Sequence, residues 1–139
     1  MARTIVDYKE GMQFAGNGDS GHRVTMDASP QVGGRDSAAR PVEVMLCALG
    51  GCTGMDVLSI LRKMKTEPEA LRIVVDDERA PEHPKSFRKL HITYSLKGDV
   101  PPENAEKAID LSLAKYCPIA TTLAGVVEIT SEFAVDKAK

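Results

Sequence analysis

The sequence predicts an α+β fold, in which short strands form antiparallel sheets around one long central helix. Apolar and polar residues alternate in several short segments, which is typical of strands with one buried face. The stretch from residue 42 to residue 65 instead has apolar residues on most sides of a helix. Strands come in groups with helices between them, in the order βββ-α-ββ-α-α-β, and this order favours antiparallel sheets.

The first 26 residues predict an antiparallel meander. Residues 4–8 and 12–15 are short apolar or alternating runs, a glycine-rich turn follows, and residues 22–26 form a third strand. The next segment, residues 27–40, is a polar loop rich in small residues and turn formers. Pro41 then occupies a favourable first position for a helix.

The central helix is too apolar to be enclosed by one chain. At 1.5 Å per residue, residues 42–65 would form a rod about 36 Å long. A helix that is apolar nearly all round is buried nearly all round, and a single domain of 139 residues with short strands can hardly wrap such a rod. The sequence therefore predicts a homodimer in which a second copy covers part of this helix.

The second half of the chain continues the alternation of strands and helices. Pro68 ends the central helix, residues 71–77 and 90–96 are the next strands, and Pro101-Pro102 starts a helix that runs to about Lys115. The remaining elements are a short helix after Cys117-Pro118, a final strand over 127–133, and a frayed tail over 136–139. No linker divides the chain, so residues 1–139 are predicted to form a single domain.

Composition excludes several classes of function. The 18 basic and 20 acidic residues are interspersed, tryptophan is absent and aromatic residues make up 4% of the chain, so no nucleic-acid surface is expected. The N-terminus has no apolar signal region, and the uncharged run between Glu43 and Asp56 is too short to span a bilayer. We therefore expect a cytoplasmic protein with no membrane partner, and in that compartment its three cysteines are free, redox-active or metal-binding rather than structural disulfides.

The glycines of the central helix suggest close packing. Cys47, Gly50, Gly51 and Gly54 have the spacing of one helix face and form a stripe of small residues. Each glycine costs about 1 kcal/mol relative to alanine in a helix interior. Packing of a second helix or a sheet against the stripe would offset that cost, and Cys47 is then a structural residue.

The other two cysteines have different surroundings. Cys52 lies about 40° round the helix from Asp56, so the thiol and the carboxylate share a face. Pro118 makes Cys117 the expected N-cap of a short helix, where the helix dipole would lower its thiol pKa. Two cysteines in a core are more often packing residues than catalysts. The sequence predicts no metal site and no organic cofactor, since it lacks CxxC and closely spaced histidines.

Three segments resemble one known family. PVEVMLCALGGCTGMDVLSILRKM resembles the central-helix motif of the OsmC/Ohr family, the osmotically inducible and organic hydroperoxide resistance proteins. YCPIATTLAGVVEI resembles the second-cysteine motif of that family, and HPKSFRKLHITYSLKG resembles a hairpin of its YhfA-like branch. The resemblance covers nearly the whole chain in order. It implies an OsmC-like α+β fold and an intertwined homodimer with the long helices buried between two sheets.

The resemblance also implies a thiol-dependent peroxidase that reduces organic hydroperoxides in oxidative-stress defence. Cys52 would be the peroxidatic cysteine, which forms a sulfenic acid, and Cys117 the resolving cysteine, which closes a disulfide. A dithiol reductant of the lipoyl or thioredoxin type would reset the pair. In the peroxidase branch of the family, an arginine and a glutamate assist the reactive thiol. The resemblance gives Glu43 as the counterpart of that glutamate. For the arginine, the first candidate is Arg35 and the second is Arg40.

These assignments leave alternatives open. Arg35 and Arg40 are equally compatible with solvated loop charges, and Glu43 falls on the opposite side of a regular helix from Cys52. Asp56 is either an anion that disfavours the Cys52 thiolate or a buried partner for an arginine such as Arg79 or Arg88. A non-peroxidatic protein that keeps the fold and binds a small apolar ligand or partner at the dimer interface is therefore the second hypothesis.

Overall fold

The computed structural model describes residues 1–137 and contains the predicted elements in the predicted order. The chain divides into two compact units, one ending at Leu46 and the other beginning at Cys47. Each unit is described in turn. Of the tail that we expected to be frayed, residue 136 ends the last strand and residues 138–139 lie outside the described residues.

The first unit contains the predicted meander. Its strands are β1 (Ile5–Glu10), β2 (Gln13–Asn17) and β3 (Arg23–Met26), and both neighbouring pairs are antiparallel. Gly11 makes the first turn with a φ of 56°, a left-handed conformation that suits glycine. The alternating residues therefore form the three-stranded sheet that the sequence predicts.

Asp27 organises the polar loop that follows β3. Its carboxylate accepts hydrogen bonds from the backbone N–H groups of Ala28, Arg35 and Ser37 and from the Ser37 hydroxyl. These donors lower the Asp27 pKa to about 2, with the Ser37 hydroxyl as the largest cause. Gly34 is required in the same loop, because a Cβ there would lie 1.9 Å from the Ala28 carbonyl oxygen.

The central helix, α1, spans Pro41–Lys63. Its buried residues recur every fourth position and form one stripe: Leu49, Thr53, Val57 and Leu61. Another side is open to solvent in a single chain, where Cys47 and Gly51 are exposed and Met55 is 74% exposed. The prediction of a helix buried nearly all round is therefore not met within one chain, because the buried residues of α1 form a single stripe.

Two glycines of α1 allow a strand to approach the helix. A Cβ on Gly54 would lie 2.7 Å from Cδ1 of Ile73, and one on Gly50 would lie 3.5 Å from Cγ2 of Val75. A Cβ on Gly51 would meet nothing within 4 Å. Of the two packing partners expected for the small-residue stripe, the strand β4 (Ala70–Arg79) thus accounts for Gly54, whereas a Cβ at Gly50 would make an ordinary contact and one at Gly51 none.

The sheet of the second unit is mixed. Strand β5 (Phe87–Lys97) lies between β4 and β6 (Glu128–Asp136). The β4–β5 pair is antiparallel, but β5 and β6 are parallel, so the prediction of purely antiparallel sheets is wrong for this pair. Two helices connect β5 to β6, and a crossover of that length returns the chain in the same direction. The alternation in β5 is confirmed, since its buried side chains are Leu90, Ile92, Tyr94 and Leu96.

The helical crossover is less regular than predicted. Helix α2 spans Pro102–Leu111, and Ser112–Tyr116 then form a single π-helical turn that ends at Cys117. The Cys117 N–H donates to the Ser112 carbonyl over 2.8 Å, which closes this wider turn. Helix α3 (Pro118–Leu123) follows at once, with Cys117 as its N-cap as predicted.

By length and composition alone, α1 is long and apolar enough to cross a membrane, and it is the one such helix among residues 1–137. The core helix of a soluble protein meets the same criterion. In this fold α1 is a core helix, and its buried stripe includes Leu49, Val57 and Leu61.

Candidate active site

Two cysteines and one carboxylate meet in the second unit. Cys52 and Asp56 are one turn apart on α1, and Cys117 begins α3. The two Sγ atoms and a carboxylate oxygen of Asp56 all lie within 4.8 Å of one another. The fold thus brings together the two cysteines that the resemblance pairs, although 65 positions separate them in the chain.

Cys117 is the buried member of this group. Its side chain has no accessible surface, and its Sγ accepts a hydrogen bond of 3.3 Å from the Ala120 N–H. Burial raises the pKa of the thiol to about 11, and the neighbouring Cys52 acts in the same direction. The prediction that the helix start lowers this pKa is therefore wrong, because desolvation of the thiolate outweighs the backbone donors at the N-terminus of α3.

Cys52 is more accessible than Cys117. It is half-buried on α1, whereas Cys117 is completely buried. The two sulfur atoms lie within 4.8 Å of each other, and Cys52 helps to raise the pKa of Cys117. Of the two cysteines, Cys52 is therefore the more accessible to a reagent from solvent.

A chain of buried hydroxyl groups leads from the core to Asp56. Ser112 Oγ donates to Asp56 Oδ2 over 2.9 Å, Thr53 Oγ1 lies 2.7 Å from Ser112 Oγ, and Tyr94 Oη lies 2.7 Å from Thr53 Oγ1. Because the single Ser112 proton points to the carboxylate, Thr53 donates to Ser112 and Tyr94 donates to Thr53. Burial raises the Tyr94 pKa to about 12, so the phenol remains a donor at neutral pH.

Sequence reasoning missed these three hydroxyl residues. Thr53, Tyr94 and Ser112 have no accessible surface, and all three polar groups are satisfied by one another and by Asp56. The alternation of β5 indicates that Tyr94 faces the core, but its partner Thr53 is 41 positions away, and Ser112 is 59 positions from Thr53. No local sequence pattern predicts such a hydrogen-bond network.

An open groove of about 400 Å³ reaches Asp56 from solvent. Apolar side chains form most of its surface, and the lining residues are Asp56, Ser59, Ile60, Lys63, Leu111 and Tyr116. A small molecule with an apolar body fits this lining better than a large polar one.

The structure changes the alternative offered for Asp56. Arg79 was one expected partner, but its Nε lies 3.3 Å from Asp77 Oδ2. Within residues 47–137, no lysine or arginine forms an ion pair with Asp56. The interpretation of Asp56 as a buried partner of Arg79 or Arg88 is therefore wrong. The side chain that contacts the Asp56 carboxylate is instead Ser112, which donates a hydrogen bond to it.

Comparisons with known proteins identify the family of this chain. Residues 34–132 match the model of a family described as OsmC-like protein. Over 131 residues the chain is 34% identical to protein YhfA of Escherichia coli K12, across 94% of this chain and 95% of that protein. The chain belongs to the OsmC-like family. The family resemblance drawn from the sequence is thereby confirmed.

Solved structures share the fold of this OsmC-like chain. A hypothetical protein from Aquifex aeolicus has a TM-score of 0.88 at 24% identity, covering 100% of this chain and 98% of its own. An OsmC-like protein from Mycoplasma pneumoniae has a TM-score of 0.83 at 17% identity, with coverages of 98% and 97%. An organic hydroperoxide resistance protein OsmC from Legionella pneumophila has a TM-score of 0.71 at 16% identity, with coverages of 96% and 97%. At these identities the likeness concerns the fold alone.

The other expected site residues of this OsmC-like protein belong to the first unit, where each has a local partner. Arg35 is exposed, and its Nη1 lies 3.6 Å from Glu10 Oε1. Arg40 Nη2 lies 2.6 Å from Asp36 Oδ1. Glu43 Oε1 accepts from the Arg40 N–H over 3.1 Å and so caps the start of α1. A role of Arg35, Arg40 or Glu43 beside Cys52 stays a prediction.

Proposed function

We propose that this OsmC-like protein is a thiol-dependent peroxidase that reduces organic hydroperoxides. The observation that carries the proposal is the approach of Cys52 and Cys117, whose sulfur atoms lie within 4.8 Å of each other. The half-buried Cys52 is suited to meet the substrate, and the buried Cys117 is suited to react afterwards. Family members from Legionella pneumophila and Bacillus subtilis are named organic hydroperoxide resistance proteins, which supports this choice of substrate class.

The first step occurs at Cys52. Its thiolate attacks one oxygen of the hydroperoxide, the O–O bond breaks, and the leaving alkoxide takes a proton to become an alcohol. Cys52 is then a sulfenic acid. The apolar lining of the groove at Ile60 and Leu111 suits the organic part of such a substrate.

The second step joins the two cysteines. The Cys117 sulfur attacks the Cys52 sulfur, the S–S bond forms, and hydroxide leaves with the proton that Cys117 gives up, as water. Because the Cys117 pKa is about 11, this residue is a thiol at neutral pH and does not compete with Cys52 for the peroxide. A dithiol of the lipoyl or thioredoxin type then supplies two electrons and two protons, and is itself left as a disulfide.

We further propose that the protein acts in the cytoplasm as a homodimer. The exposed side of α1, with Cys47, Gly51 and Met55, supports a second copy as its cover. Arg35 or Arg40 and Glu43 remain the proposed assistants of the Cys52 thiol. Cys47 is proposed to have no part in the chemistry, because its place is on this exposed side.

The groove beside Asp56 favours a second candidate function. In this second hypothesis, the protein keeps the OsmC-like fold but is not a peroxidase. It binds a small apolar molecule or a partner, and the proposed binding site is at the dimer interface. The lining by Ile60, Leu111 and Tyr116 is compatible with such a ligand. This candidate needs no reaction between Cys52 and Cys117, so the two functions can be separated.

Treatment of the reduced protein with one equivalent of cumene hydroperoxide tests the proposal. Peptide mass spectrometry should find a Cys52–Cys117 disulfide, together with one equivalent of the alcohol. Cys47→Ser is the matched control and should give the same product. Unchanged thiols and unconsumed hydroperoxide would favour the ligand-binding alternative.

A further inference from the structure

We infer that Cys52, Asp56 and Cys117 form a binding site for a thiophilic divalent cation such as Zn²⁺ when the two cysteines are reduced. The expectation of no metal site concerned ligands that are close in sequence, whereas the fold supplies ligands from α1 and from the start of α3. This inference does not depend on peroxidase activity.

The geometry suits zinc. Zinc binds thiolates at about 2.3 Å and carboxylate oxygens at about 2.0–2.2 Å, so two thiolates on a tetrahedral ion lie about 3.8 Å apart. The three candidate ligand atoms already lie within 4.8 Å of one another. They need to move by about 1 Å or less to share one ion.

The charge balance also favours a cation. Two thiolates and a carboxylate place three negative charges close together, and within residues 47–137 no lysine or arginine forms an ion pair with Asp56. Cys117 is completely buried, and a buried charge is unfavourable unless an opposite charge accompanies it. A divalent cation neutralises most of that charge, and its binding releases the two thiol protons to solvent.

Ser112 supplies the outer support that such a site requires. Carboxylates that bind metal ions are themselves held by hydrogen bonds. Ser112 Oγ donates to Asp56 Oδ2 over 2.9 Å and is anchored through Thr53 and Tyr94. The carboxylate is therefore fixed in place before an ion arrives. The groove beside Asp56 leaves room for water as a fourth ligand.

Metal binding and disulfide formation exclude each other, since a disulfide uses both sulfur ligands. A thiol oxidant such as diamide removes one hydrogen from each of the two thiols, is reduced to the hydrazine, and leaves the S–S bond. The oxidised protein then has only Asp56 of the three ligands. The site is thus a metal site in the reduced state only.

Titration of the reduced, metal-free protein with Zn²⁺ against a chromophoric chelator tests the inference. One Zn²⁺ per chain should bind, and Co²⁺ in its place should give the charge-transfer absorption of a thiolate complex. Cys47→Ser should bind as the wild type does. Ser112→Ala should weaken binding about 10- to 100-fold, as loss of an outer support does.

The ligand variants decide which residues hold the ion. Cys52→Ser and Cys117→Ser should each weaken binding more than Ser112→Ala does, and Asp56→Asn should weaken binding while the thiolate–Co²⁺ absorption persists at higher metal concentration. Diamide-treated wild type should not bind. Failure of the reduced wild type to bind, or Zn²⁺ binding that survives diamide or is lost in Cys47→Ser, would overturn the inference whatever the variants do. Peroxide consumption is measured separately, so its absence leaves this result unaffected.

Discussion

Ser112 Oγ donates a hydrogen bond of 2.9 Å to Asp56 Oδ2, and this bond joins the π-helical turn before Cys117 to the helix that carries Cys52. Ser112 has no accessible surface, so its hydroxyl depends on protein partners, whereas Asp56 also lines the open groove. The bond therefore fixes one cysteine-bearing segment against the other.

Ser112→Ala should destabilise the protein. The substitution leaves the buried Thr53 hydroxyl without its acceptor, and an unsatisfied buried group costs about 1–3 kcal/mol. Urea unfolding measures the loss. Ser86→Ala, at an exposed position before β5, is the matched control and should change stability by less than about 0.5 kcal/mol. Equal stability of the two variants would show that the hydroxyl chain is not structural.

Stability should fall in alkaline solution because of Cys117. Its pKa is about 11 in the folded chain and is lower when the chain unfolds, so the unfolded state loses its proton first as pH rises. The contribution is complete below the unfolded pKa of about 9 and is lost as pH rises toward the folded value. Tyr94, raised to about 12, adds the same trend at still higher pH.

Urea unfolding at several pH values compares wild type with Cys117→Ala. The wild type should lose more stability than the variant between about pH 9 and about pH 11, whatever their difference at neutral pH. Cys47→Ala, at an exposed position, should follow the wild type. Parallel pH profiles for wild type and Cys117→Ala would contradict the burial of this thiol.

Substitutions at Gly51 and Gly54 distinguish an effect on dimer association from an effect on folding. A leucine at Gly54 meets Ile73 of the same chain, where a Cβ would already be 2.7 Å from Cδ1, and such overpacking costs about 1–3 kcal/mol or more. A Cβ at Gly51 would meet nothing within 4 Å in its own chain. Gly54→Leu should therefore lose folding and association together, whereas Gly51→Leu should stay helical and sediment as a monomer. A well-folded wild-type monomer at micromolar concentration would contradict the proposed homodimer.

The elements could be predicted from the sequence because their signals are local. The alternation from Leu90 to Leu96 indicates which face of β5 is buried, and Pro118 marks Cys117 as an N-cap, as the structure confirms. The parallel pairing of β5 with β6 depends on the path of a connection of some 30 residues, between Lys97 and Glu128, and strand patterns do not encode that path.

The site could be predicted only in part. The two cysteine segments could be matched to a family, but the hydroxyl chain joins Thr53, Tyr94 and Ser112 across three elements. The direction of the Cys117 pKa shift was predicted wrongly, because the sequence places this residue at a helix start and does not show how completely the fold buries it. The sequence shows that Cys117 starts a helix, but it does not show that the fold removes its thiol from water.

Cys47→Ala tests whether the third cysteine is idle. The side chain is exposed within one chain and lies on the side of α1 where we propose the second copy. Peroxide consumption should match the wild type, and any loss should appear in stability or association. Loss of activity in a variant that still folds and dimerises would show that the peroxidatic role was assigned to the wrong cysteine.

Single-turnover consumption of an organic hydroperoxide by Cys52→Ser and Cys117→Ser tests the division of roles most directly. Cys52→Ser should consume none, since the remaining Cys117 is a buried thiol at neutral pH. Cys117→Ser should consume about one equivalent and stop as a Cys52 sulfenic acid that dimedone traps. The opposite result, with one equivalent consumed by Cys52→Ser and none by Cys117→Ser, would contradict the assignment of the peroxidatic cysteine.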